Sequence, residues 1–262
     1  MKRVGYVLSG GGTRGFAHLG IIKYLEELKI YPHAISGTSA GSIAGSLYAA
    51  GKNPEEILKI MKDNIFFGWS SINFRQNGFL SMDMLRKVLK GIFLEDDFKA
   101  LKMPFYATAT DLNKGKEITF SEGPLVEAII ASCSVPVVFN SVQMGNHLLV
   151  DGGLVNNFPV EPLLSNCDII IGSYVNKLEE GISNHSSFKI VNYMDRCFHL
   201  AISKNVYAKT HLCDVFIESP LHAYNMYDVK AADAIFEIGY TTARSYKDEL
   251  DKLVQQLQDR YK

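Results

Sequence analysis

The chain has 262 residues, 47% of them hydrophobic and 21% charged, with 27 Lys and Arg against 28 Asp and Glu for a net charge of −1. A chain of this size and composition can bury about three quarters of its unfolded surface in one core, so a single domain over 1–262 is expected and no disulfide staple is needed. Near-neutral charge without a long basic run argues against nucleic acid as a partner and against strong attraction to an anionic membrane.

Taken in order, Arg3-Val4-Gly5-Tyr6-Val7-Leu8 reads as a buried strand and Ser9 to Gly15 as the loop SGGGTRG. Phe16 to Lys29 follows as a helix with Ile21, Leu25 and Leu28 on one face. Gly10, Gly12 and Gly15 spell GxGxxG, which raises a dinucleotide site, but such a site needs an acidic residue at the end of the second strand. Here the second strand runs into Ser36-Gly37-Thr38-Ser39, and Glu26 and Glu27 lie on the intervening helix. A phosphate-cradling P-loop fails too, because Phe16 and Ala17 stand where Lys and Ser or Thr belong. What remains is a run of unhindered backbone N–H groups at a helix N-terminus, a place suited to negative charge.

After the short apolar stretch His33-Ala34-Ile35 comes Gly37-Thr38-Ser39-Ala40-Gly41, followed by a helix-like run. A serine on a sharp strand-to-helix turn projects its hydroxyl clear of the sheet, and the crowded positions two before and two after it tolerate little beyond glycine. If the first two strands are parallel neighbours, the tips of both loops reach the same carboxyl edge, and Gly10 to Gly12 can face Ser39.

Asn53-Pro54-Glu55-Glu56 carries a capping Asn, Pro at the first helical position and acids in the first turn. An aromatic-rich connection, Phe66-Phe67-Gly68-Trp69 through Phe74 to Leu80, has two readings, a lid lining an acyl-chain groove or plain core. Ser81 precedes a helix with Leu85, Val88, Leu89 and Ile92 on one face, and strands are expected at Phe105 to Thr110 and Lys116 to Phe120. Next, the apolar run Leu148-Leu149-Val150 delivers Asp151 to a tight turn at Gly152-Gly153. Further strands are expected at Asp168 to Val175 and Asp214 to Glu218, with a helix from Phe188 to Leu212 between them. From about 220 to 262 the pattern is helical, and Leu250, Leu253, Val254 and Leu257 form a stripe that could dock on the core or on another subunit, core packing being expected. The sequence assigns no oligomeric state.

Cys133, Cys167, Cys197 and Cys213 lie far apart with no C-x-x-C spacing, so neither a zinc site nor a disulfide frame is indicated. No cofactor and no metal is expected. The apolar run after Lys2 and Arg3 is too short for a signal peptide, and no uncharged stretch can span a bilayer, so a cytoplasmic protein, peripheral at a membrane at most, is expected.

Four blocks in order, GGGTRG at 10–15, GTSAG at 37–41, ASCSVP at 131–136 and DGGLVNNFP at 151–159, together with a weaker ATDLNKG at 109–115, resemble the patatin-like phospholipase family. The resemblance covers residues 3 to 165. It implies a three-layer α/β/α sandwich with a mainly parallel central sheet and a serine esterase that cleaves fatty acyl esters such as (lyso)phospholipids through an acyl-enzyme. It also implies Ser39 as nucleophile and Asp151 as its partner in a Ser-Asp dyad, with Gly10, Gly11, Gly12 and Arg14 in the oxyanion loop. Gly37, Ala40, Gly41, Gly152 and Gly153 support the two turns. The partner is then a lipid or acyl ester, met in transient contact with a membrane surface. The family uses no catalytic histidine. A Ser-Asp-His triad would need one after Asp151, and His185, His199, His211 and His222 sit in no recognisable loop motif, while His18 suits a supporting role. Two alternatives stay open: an acyltransferase using the same acyl-enzyme, and a catalytically silent lipid-binding protein.

Overall fold

A computed structural model describes residues 2–65, 82–178, 190–226 and 228–258. Trp69, Phe74 and the rest of the aromatic connection, and His185, lie outside the described residues. In chain order the strands are β1 (Val4–Leu8), β2 (Ala34–Thr38), β3 (Phe105–Asp111), β4 (Lys116–Phe120), β5 (Val142–Met144), β6 (His147–Asp151), β7 (Ile169–Tyr174) and β8 (Val215–Glu218). The helices are α1 (Phe16–Glu27), α2 (Ala40–Ala49), α3 (Pro54–Ile60), α4 (Asp83–Ile92), α5 (Leu125–Cys133), α6 (Ile190–Tyr207), α7 (Ala232–Ser245) and α8 (Lys247–Gln258).

All eight strands among the described residues join one sheet, in which β3, β2, β1, β7 and β8 run parallel in that order. Both faces of the parallel strands are buried, and side chains alternate between them as the period of two requires. Val4, Tyr6 and Leu8 of β1, Ile169 and Ile171 of β7, and Val215 and Ile217 of β8 enter one large core beneath α1, α2, α5, α7 and α8. Val7, Ile170 and Tyr174 enter a smaller one with Phe158, Val160, Leu163 and Val206 of α6. Among the described residues the sandwich is therefore lopsided: the second helical layer is thin, one helix plus the chain that follows β6.

The chain moves from β1 through β2 to β3 on one side, and β7 and β8 lie on the other. The point where the order reverses is thus at β1, and the crevice such a reversal opens at the carboxyl ends of the strands receives the loop Ser9–Gly15.

The antiparallel strands do something more specific. β4 pairs β3 over Ala107–Asp111, so it occupies the edge of β3 that β2 does not. β6 pairs the last residues of β3 on the β2 side, beyond the point where β2 ends. In register, Thr38 lies opposite Thr108 and Asp151 opposite Ala109, two successive residues of one strand. Running in opposite directions, β2 and β6 therefore meet end to end along β3, each finishing at the junction.

Asn53 caps α3 as its sequence predicts, its side chain accepting from Glu56 N–H while the Glu56 carboxylate accepts from Asn53 N–H. The C-terminal stripe packs on the core: Leu250 and Leu253 are buried, and Val254 and Leu257 are partly buried against it. α7 lies close on α1, where a methyl group on Gly20 would fall 2.0 Å from Phe236 O and one on Gly239 would fall 2.1 Å from Ala17 O. Helix begins at Ala232 rather than near 220, the stretch before it being turns and one short helical turn at Val229–Ala231. No helix among the described residues is long and apolar enough to cross a membrane.

Candidate active site

Ser39 follows β2 directly and precedes α2, with φ 52° and ψ −122°, a left-handed backbone that a non-glycine residue adopts only under constraint. The glycines around it are required by contact. A methyl group on Gly37 would lie 2.4 Å from Gly41 O, and one on Gly41 would lie 2.2 Å from Leu8 O. The Ser39 N–H donates to Ser132 Oγ at 2.9 Å, and the Ser132 hydroxyl donates to Thr108 O at 2.7 Å.

Asp151, at the end of β6, is 4% exposed. Its N–H donates to Ser134 O at 2.8 Å, and its Oδ1 accepts from Gly153 N–H at 2.7 Å. Ser132 and Ser134, either side of Cys133 at the end of α5, thus clasp the ends of β2 and β6 respectively. Burial pushes the Asp151 carboxyl up to about 6, with the nearby Ser39 hydroxyl and the Gly153 N–H pulling it part of the way back. Oδ2 is buried and has no hydrogen-bond partner among the described residues, so the serine hydroxyl stands beside the carboxylate without a closed hydrogen bond between them.

The glycine loop abuts the Ser39 elbow. A methyl group on Gly10 would lie 3.3 Å from Ser39 Cβ, and one on Gly15 would lie 2.7 Å from Ala40 Cβ. Gly10 departs from the role its sequence suggests, because its N–H already donates to Asn157 O at 3.1 Å. The N–H groups of Gly11 and Gly12 have no acceptor among the described residues. Arg14 is buried and braces the loop: its Nε donates to Tyr224 O at 2.8 Å, and its Nη1 lies 3.4 Å from Asn176 Oδ1 and 3.3 Å from His199 Nε2. Thr13 is held in the same way, N–H to Met226 O and hydroxyl to Asn225 O.

The described histidines have other surroundings. His18 is buried, with Nδ1 at 2.6 Å from Ser173 Oγ and Nε2 at 2.9 Å from Ser9 O, and burial lowers its pKa to about 4. A neutral ring that donates to Ser9 O and accepts from Ser173 anchors the start of the glycine loop. His147 contacts Asp111 Oδ2 at 2.7 Å, and His211 and His222 are exposed. Among the described residues no histidine nitrogen is hydrogen bonded to Ser39 or Asp151, and no group of three His, Cys, Asp or Glu side chains is placed to hold a metal ion.

Sequence reasoning did not single out Ser132, Ser134, Asn157 or Asn176. The first three lie inside the ASCSVP and DGGLVNNFP blocks, whereas Asn176 follows β7 with no motif around it.

The profile of the Patatin-like phospholipase family matches residues 6–164. An uncharacterized NTE family protein of Mycobacterium bovis is 32% identical over 182 residues, 68% of this chain and 51% of that protein. Lysophospholipase NTE1 of Cryptococcus neoformans is 31% identical over 180 residues, 65% of this chain and 11% of that protein. The chain thus spans about half the length of the mycobacterial relative and a small part of the fungal one. Among solved structures, VipD from Legionella pneumophila shares the fold with a TM-score of 0.60 at 16% identity, over 96% of this chain and 67% of VipD. With the family profile matching more than half of its length, the chain belongs to the Patatin-like phospholipase family.

Proposed function

We propose that the protein is a serine esterase that hydrolyses carboxylic esters of (lyso)phospholipids or other fatty acyl esters through an acyl-enzyme, with Ser39 as nucleophile and Asp151 as base. The observation that carries this reading is the end-to-end meeting of β2 and β6, whose last residues lie opposite Thr108 and Ala109. A serine hydroxyl is a poor nucleophile without a base, and a carboxylate at its ordinary value is a poor base near neutrality. A buried carboxyl lifted to about 6, with one oxygen unengaged, is better matched to the task.

Asp151 Oδ2 takes the Ser39 proton as Oγ bonds to the ester carbonyl carbon. The negative charge that develops on the carbonyl oxygen meets the N–H groups of Gly11 and Gly12. Collapse of the tetrahedral adduct breaks the ester C–O bond, and the leaving alcohol takes the proton from Asp151. Water then attacks the acyl-serine, giving its proton to Asp151, and the fatty acid and free Ser39 are regenerated as that proton returns to Oγ. This route needs no metal and no organic cofactor. Lysophospholipase NTE1, by its name, fits this substrate class.

The test is fluorophosphonate labelling of the wild type and Ser39→Ala, followed by incubation of each with a mixed lipid extract and identification of the lipids consumed and the products released. Labelling and lipid loss confined to the wild type are expected, with free fatty acid as product. Equal lipid loss in Ser39→Ala would overturn the assignment, and acyl transfer to an added alcohol in place of fatty acid release would redirect it.

A further inference from the structure

Asn157 has no place in the scheme above, yet its side chain lies at the point where the glycine loop, the elbow and the DGG turn converge. The methyl group that would fall 3.3 Å from Ser39 Cβ if built on Gly10 would fall 2.6 Å from Asn157 Nδ2. One built on Gly153 would lie 2.9 Å from Asn157 Nδ2 and 3.0 Å from Asp151 Oδ1. A gap no wider than a methyl group therefore separates this amide nitrogen from the serine on one side and the aspartate on the other. Asn157 is only 5% exposed, and its Nδ2 donates to no acceptor among the described residues. Unlike Asp151 Oδ2, which is sealed off and unpartnered, this nitrogen stays open to solvent, where a group entering the site can accept from it.

The direction in which the amide points is set by its neighbours. A guanidinium can only donate, so Arg14 Nη1 draws the oxygen of Asn176, at 3.4 Å. The Asn176 nitrogen then faces the other way, donating to Gly10 O at 2.6 Å and reaching Asn157 Oδ1 at 3.4 Å. That leaves the Asn157 nitrogen turned to Gly10 and Gly153. The donor-only cation at one end fixes the polarity of both amides.

We infer that Asn157 is a catalytic residue whose side-chain Nδ2–H joins Gly11 and Gly12 in binding the carbonyl oxygen of the ester as it becomes an oxyanion, with Arg14 and Asn176 as positioning residues that hold the amide in the donating orientation. The inference rests on Ser39 being the nucleophile.

The experiment compares wild type, Ser39→Ala, Asn157→Ala and Asn157→Asp, each checked for folding by circular dichroism. It measures the second-order rate of fluorophosphonate labelling and the affinity for a fatty trifluoromethyl ketone, which forms a reversible tetrahedral adduct, against that for the matching fatty alcohol, which forms none. Loss of one oxyanion donor lowers labelling about 10²-fold, and ketone affinity should weaken in parallel while alcohol affinity stays level. Asn157→Asp keeps the size of the side chain and its acceptor toward Asn176 but replaces the donor, and it should be impaired at least as much. A folded Asn157→Ala or Asn157→Asp with labelling and ketone affinity within threefold of wild type would overturn the inference and leave the Ser39 assignment standing. So would slower labelling with unchanged ketone affinity, the pattern of a purely structural residue. Labelling retained in Ser39→Ala would instead remove the nucleophile assignment and this inference together.

Discussion

Replacing Asp151 by Asn should stabilise the protein while disabling it, and the size of the effect follows from the burial of one carboxylate. Asp151 moves from an ordinary value of 3.8 to about 6 in the folded state, with burial as the main cause. A shift of about two units corresponds to about 3 kcal/mol of preference for the protonated form. Because the folded pKa lies above the unfolded one, this contribution favours folding fully at acid pH, declines as pH rises from about 4 to about 6, and is absent above. The amide of the Asp151→Asn variant would carry no charge at any of these values. Its oxygen can keep the Gly153 N–H, and its nitrogen, standing where Oδ2 now lacks a partner, has the neighbouring Ser39 hydroxyl oxygen as acceptor. Urea unfolding of both proteins from pH 4 to pH 8 is the assay. The variant is expected to match wild type near pH 4 and to exceed it by up to about 3 kcal/mol at pH 8. His18 titrates with the opposite sign, being held neutral in the fold at a pKa of about 4, but it is common to both proteins and cancels in the difference. A variant no more stable than wild type at pH 8, or a gap that does not close toward pH 4, would refute the reasoning.

Esterase activity of the wild type should fall tenfold per unit below about pH 6, where the base becomes protonated; a profile flat to pH 5 would show that Asp151 is not that base. Ser132→Ala removes the acceptor of the Ser39 N–H and should destabilise the protein by about 1–3 kcal/mol in urea unfolding, slowing fluorophosphonate labelling as well. Gly41→Ala puts a methyl group 2.2 Å from Leu8 O and should abolish labelling, read on whatever fraction of the variant remains soluble.

Much of this was legible in the chain because the signals are dense where the chemistry is crowded. Apolar runs such as Ile169-Ile170-Ile171 mark strands buried on both faces, and the glycines at 37 and 41 mark backbones that touch. The pairing of Ser39 with Asp151 had no local signal and came from family resemblance, since it depends on β6 docking beyond the end of β2. β5, Val142–Met144, is three residues long and carries no usable alternation. The misplaced start of the C-terminal helices has a physical cause: the carbonyls of Tyr224, Asn225 and Met226 accept from Arg14 and Thr13, so backbone that the local pattern would make helical is spent on the glycine loop. Asn176 was invisible for a related reason. Its importance lies in an arginine 162 positions away.

The junction of β2 and β6 also sets when the proposed site can be complete during synthesis of the chain. A growing chain that has released β1 through α2 carries Ser39, but Ser132, which accepts from its N–H, and Asp151, on the strand that docks against the far end of β3, come later. Until β7 then slides in beside β1, the loop over the serine lacks the strand whose Ser173 supports it. The proposed site is therefore assembled late: besides Ser173, the glycine loop depends on Asn176 and on the carbonyls of Tyr224, Asn225 and Met226, so its last supports are made some fifty residues after β7.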